Sequence, residues 1–115
     1  MPSPQIMFAC GLARLLLAHA RDLTDEDRAY IQTVADATTM GQMQACWHAS
    51  AYFASVAASA AASSAASASA FASVAAASAF AASWSKQACT YAVKAGVPED
   101  AVAALRALTL GETHA

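Results

Sequence analysis

The sequence predicts an all-α protein, a small helical bundle of four to five helices with a tightly packed Ala/Ser-rich helical hairpin, and residues 1–115 form a single domain. Three observations predict it. Apolar residues recur at helical spacing near both ends of the chain. Alanine, the residue of highest helix propensity, dominates the middle. Neither Gly nor Pro interrupts residues 42–95. A chain of 115 residues supports one core. Much of its 58% hydrophobic content is alanine, whose methyl buries far less area than a leucine side chain. The core is therefore thin and closely packed.

Ser3-Pro4 opens the first helix, with serine as cap and proline at a first-turn position where its missing amide loses no hydrogen bond. Ile6, Cys10, Ala13 and Leu17, widened by Phe8, Leu12, Leu15 and Leu16, form its apolar face up to about Arg21. A second helix follows Thr24, its N-cap. Asp25, Glu26 and Asp27 crowd its first turn, where the helix dipole favours negative charge. Tyr30, Ile31, Val34 and Thr38 are its buried face. Thr39 and Gln42 have the spacing of a capping box and start a third run. Gly96 reads as a C-terminal cap, Pro98 as the first residue of the last helix, and Gly111 as its end. That helix carries a stripe of Val102, Leu105 and Leu108 or Thr109.

A single helix over 42–95 would be about 80 Å long, more than this chain can flank. The run is therefore expected to fold back as an antiparallel hairpin, 42–62 against 64–95. The bend is placed at Ser63-Ser64 or at Ser67-Ala68-Ser69, because serine competes with helical hydrogen bonds. The segment FASVAA at 53–58 recurs at 71–76, a shift of eighteen residues or five helical turns. The five serines of 57–70 cost only about 2 to 3 kcal/mol of helix propensity relative to alanine. Small side chains let another helix backbone approach closely. That helix can belong to the same chain, to a second copy or to a foreign protein. Trp47, Tyr52, Phe53, Phe71, Phe80, Trp84 and Tyr91 flank the small-residue zone and are expected to form an aromatic cluster at each end of it.

Composition bears on function mainly by exclusion. Six Lys and Arg in a chain of net charge -2 provide no stripe for phosphate neutralisation, so nucleic acid is not an expected direct partner. Three cysteines without CxxC spacing, Cys10, Cys46 and Cys89, match neither a disulfide framework nor a zinc site. Cys46 and His48 would point about 200° apart on a helix and cannot share a metal. No serine sits in a nucleophile elbow, and no Gly-rich phosphate loop is present. No cofactor, metal or enzymatic activity is expected. Ala18-His19-Ala20 imitates a signal-peptide cleavage site, but no Lys or Arg precedes it and Arg14 interrupts the apolar run, so a cytoplasmic protein is expected. No Asp, Glu, Lys or Arg occurs between Asp36 and Lys86. Serine at 55, 59, 63 and 67 would suit small-xxx-small pairing in lipid as well as in water.

The order of segments carries a resemblance. FACGLARLLLAHA, a helix with one cysteine, precedes TDEDRAYIQTVADATT and then an alanine-rich run to Ala95. This layout resembles the alanine-rich immunity proteins of bacterial polymorphic toxin systems, with Cys10, Asp27 and Arg28 as the alignable positions. Serines stand here where that family intersperses arginines. The resemblance implies a protein that inactivates another macromolecule by binding it. A phage inhibitor of a bacterial defence complex, of the anti-CRISPR kind, fits the same size and composition. The expected function is neutralisation of a bacterial effector, with Asp25, Glu26, Asp27, Arg28, Trp47 and Trp84 as candidate partner-binding residues. The alternatives are a self-associating structural protein whose Ala/Ser faces pair between copies, and a small membrane-associated helical protein.

Overall fold

A computed structural model of the chain describes residues 4–21, 23–49, 57–71 and 78–111, and the side chains of all of these except 47–49, 71 and 78–82. The described residues form six helices and no strand: α1 (Pro4–His19), α2 (Asp25–Asp36), α3 (Met40–Ala49), α4 (Ala57–Phe71), α5 (Ser78–Ala95) and α6 (Glu99–Leu110). The bundle is all-helical as expected, with one or two helices more than the sequence suggested.

The start and stop chemistry is largely as the sequence indicates. Thr24 accepts the Asp27 amide and caps α2. At α3 the capping box closes both ways, since Thr39 accepts the Gln42 amide at 3.2 Å and the Gln42 side chain accepts the Thr39 amide at 3.1 Å. Gly96 ends α5 at φ 118°. There its own amide bonds the Val93 carbonyl, and the Val97 amide reaches back to Ala92, the paired bonds of a Schellman ending. Pro98 is the N-cap of α6 rather than its first residue, and Gly111 ends that helix in the left-handed region. Ser3 lies outside the described residues.

The centre of the bundle is α4. It packs against α1, α2, α3 and α5, and none of residues 57–70 is exposed. Ala61, Ala62, Ala65, Ala66 and Ala68 have no accessible surface. A helix enclosed on nearly all sides must be narrow if its neighbours are also to cover one another, and alanine and serine make it so. The radius of gyration is 12.4 Å, somewhat below the roughly 13 Å usual for this chain length.

The bend expected at Ser63-Ser64 or Ser67–Ser69 is not there, because those residues lie inside α4. Within the 42–95 run the described residues form α3, α4 and α5, and residues 50–56 and 72–77 lie outside the described residues. The serines do not break the helix. Ser67 donates to the Ser63 carbonyl one turn back at 2.9 Å, and the Ser69 hydroxyl lies 3.0 Å from the Ala65 carbonyl, both without unwinding the backbone. The antiparallel partner of α4 is α5, since Ala57 and Ala58 lie beside Val93 to Gly96 while Ser69 and Ser85 both reach Gln5. The repeated FASVAA segments fall largely outside the described residues. Of the seven aromatic residues expected to cluster, Tyr52 and Phe53 and the side chains of Trp47, Phe71 and Phe80 also fall outside them.

The bulky part of the core surrounds this narrow helix. Phe8, Leu12 and Leu16 of α1, Ile31 and Val34 of α2 and Met43 of α3 are fully buried, each worth about 1.5 to 3 kcal/mol of transfer free energy. Thr38, expected on the buried face of α2, lies beyond that helix and is exposed. Leu108, expected on the α6 stripe, is 82% exposed, while Thr109 turns its hydroxyl to the Leu105 carbonyl. α6 closes on α1 at Gly11, where an added Cβ would stand 2.5 Å from Leu105 Cδ1. That contact requires glycine or a displaced leucine.

Candidate functional site

Four consecutive helical residues cannot share one face, and this separates the acidic turn of α2 into two roles. Asp25, Glu26 and Arg28 are exposed, whereas Asp27 is 6% exposed. The Asp27 carboxylate accepts the Thr24 hydroxyl at 2.8 Å and the Ser59 hydroxyl at 3.0 Å. Asp27 therefore faces α4, and the outward set is reduced to Asp25, Glu26 and Arg28. Trp84 is half-buried on α5, whose main partner is α4. Trp47 lies on α3, but its side chain is outside the described residues.

One turn along α2 from Asp27, Tyr30 donates its phenol to the Cys46 carbonyl at 3.1 Å, and Ser63 lies in hydrogen-bonding relation to the same phenol. Asp27 with Ser59 and Tyr30 with Ser63 keep step, so α2 and α4 run parallel. Ser69 donates to the Gln5 carbonyl at 2.8 Å and ties α4 to α1. An alanine surface alone offers a neighbour many equivalent registers. The serine contacts distinguish one of them, because any slip would leave a buried carboxylate or hydroxyl without its partner.

Cys10 is also structural in its contacts. Its thiol donates to the Ala37 carbonyl at 2.8 Å and lies 3.6 Å from the Val34 carbonyl, so it serves backbone oxygens at the C-terminal end of α2. Burial pushes its pKa up, with Arg14 opposing and Asp36 adding to the rise. Burial also raises Cys46 and Tyr30. Each of these acids is neutral when protonated, so a raised folded-state pKa means that the unfolded chain ionises first as pH increases. Their contribution is present below the unfolded values and is lost as pH rises through the folded ones. The urea midpoint is expected to hold near neutrality and fall progressively above about pH 9. A flat profile from pH 8 to 11 would contradict that linkage.

Among the described residues no group of three or more His, Cys, Asp and Glu is placed to hold a metal ion. No described helix is long and apolar enough to cross a membrane. A groove of about 620 Å³ lies between α5 and α6, lined by Cys89, Thr90, Val93 and Lys94 on one side and Glu99, Asp100, Val102, Ala103 and Arg106 on the other. Sequence reasoning passed over this groove, which the approach of α5 to α6 forms and no local pattern marks. It also passed over Ser59 as the partner of Asp27, for which 32 positions of separation left no local sign. No family model matches the chain, and neither the curated proteins nor the solved structures contain a match to it.

Proposed function

We propose that this chain is a non-enzymatic binding protein that neutralises a bacterial effector in the cytoplasm by direct protein contact, as an immunity-type or counter-defence protein. The observation that carries this reading is the division of labour on α2. Asp27 anchors the helix from within, and the same capped turn holds Asp25 and Glu26 outward, with Arg28 beside them. Charged side chains held on an anchored helix favour a partner of complementary charge and accelerate encounter. Trp84, half-buried on α5, is of the residue type that most often anchors protein interfaces. Ser59, Ser63, Ser67 and Ser69 of α4 are engaged within the chain, which favours reading the Ala/Ser surface as a device for folding rather than for recognition.

The test is co-expression with each effector encoded beside the gene, followed by size-exclusion chromatography and calorimetry. Co-elution is expected, and Asp25→Lys with Glu26→Lys should weaken binding roughly tenfold or more, chiefly through slower association. Failure to co-elute with any neighbouring effector would overturn the proposal.

A further inference from the structure

α6 runs antiparallel to α1. The turn before it, at Gly96, lies against the His19 carbonyl, and Leu105 farther along lies against Gly11. Beside that line of contact the two helices leave a groove of about 300 Å³, at the lower end of the range of ligand pockets. Ile6, Met7, Leu105 and Leu108 give it apolar walls. Met7 is 45% exposed and Leu108 82%. Two of the three large apolar side chains exposed among the described residues thus share this one cleft, so they form a patch rather than scattered single residues.

Most of the polar lining is spent within the chain. Cys10 donates its thiol to the Ala37 carbonyl, Thr38 its hydroxyl to the Gln42 side chain and Thr109 its hydroxyl to the Leu105 carbonyl. Arg14 is the one charged residue of the lining, and it is exposed. It stands two turns from Met7, about 10 Å along α1. Asp36, which also lies near Cys10, accepts the Gln32 side-chain amide at 3.1 Å and lines a separate depression.

We infer that the α1–α6 groove binds a medium-chain alkyl carboxylate, its chain between Met7 and Leu108 and its carboxylate on the Arg14 guanidinium. The apolar walls favour a hydrocarbon body, which regains contact for two side chains otherwise held in water. A sugar or an extended peptide would bring polar groups to walls whose donors are already engaged, and would leave them unpaired. The guanidinium offers a carboxylate two parallel donors. An alkyl ammonium would set like charges together at the same end. None of the acidic turn of α2 lines this groove, so the inference is independent of the function proposed for that turn.

Titration of the full chain with decanoate, read at the Gly11 and Thr109 amide resonances, tests this. Saturable shifts are expected, with a dissociation constant of about a millimolar or below. Decyltrimethylammonium has the same chain and the opposite charge, and propanoate has the charge and little chain. Each should bind roughly threefold or more weaker than decanoate. Arg14→Ala should erase most of the preference for decanoate over decyltrimethylammonium. Leu108→Asp should weaken decanoate roughly threefold or more. Both positions are exposed, and far-UV circular dichroism of each variant reports any loss of fold directly. Shifts that do not saturate, equal binding of the two amphiphiles, or an Arg14→Ala variant that keeps the preference would overturn the inference.

Discussion

Ala62→Leu is expected to cost about 3 kcal/mol or more, because the side chain has no accessible surface on a helix packed against four others. Three added carbon atoms must displace at least one neighbouring helix. The loss is a large part of the 5 to 15 kcal/mol that typically separates folded from unfolded states. It should lower the melting temperature by roughly 10 to 20 °C. The same exchange at Ala104, exposed on α6, should fall within about 0.5 kcal/mol of wild type. Alanine and leucine have similar helix propensities, so the contrast between the two sites isolates packing. Thermal melts of both variants measure it, and equal melting temperatures would refute the enclosure of α4.

The second large effect is expected at Asp27. Asp27→Ala removes the acceptor of the Thr24 and Ser59 hydroxyls and leaves Ser59, with no exposed surface, short of its partner. The expected cost is about 2 to 3 kcal/mol. Ser59→Ala alone should cost less, about 1 to 2 kcal/mol, since Thr24 still serves the carboxylate. With both removed, no group is stranded, and the double variant should be more stable than the summed losses predict by about 0.5 to 3 kcal/mol. Urea titrations of the four proteins close the cycle. Strict additivity would mean that the α2–α4 bond does not set the register.

The fold was legible wherever local chemistry decides it. Thr24, Thr39 and Gly96 mark helix ends through bonds to residues a few positions away, Gly111 marks one through its left-handed backbone, and the apolar spacing of α1 and α2 reveals their inner faces. The centre was legible only in part. A stretch without charge from Ala37 to Ser85 implied burial, but neither glycine nor proline marked where α4 begins or stops, and its serines read as breakers. They serve instead as bonding groups inside a continuous helix, which depends on neighbours distant in the chain. The same limit applies to the candidate site. Asp25, Glu26 and Arg28 emerge on the surface, while Asp27 is drawn inward by Ser59, a residue whose proximity no local pattern discloses.

The placement of α1 has a consequence for biosynthesis. Its apolar side is covered by α2, which follows at once, and by α4 and α6, which follow much later. At about 5 to 20 residues per second, some 5 to 20 seconds pass between translation of Phe8 and the arrival of Leu105. During that interval the bulkiest segment of the nascent chain waits for a cover that only the last helix completes.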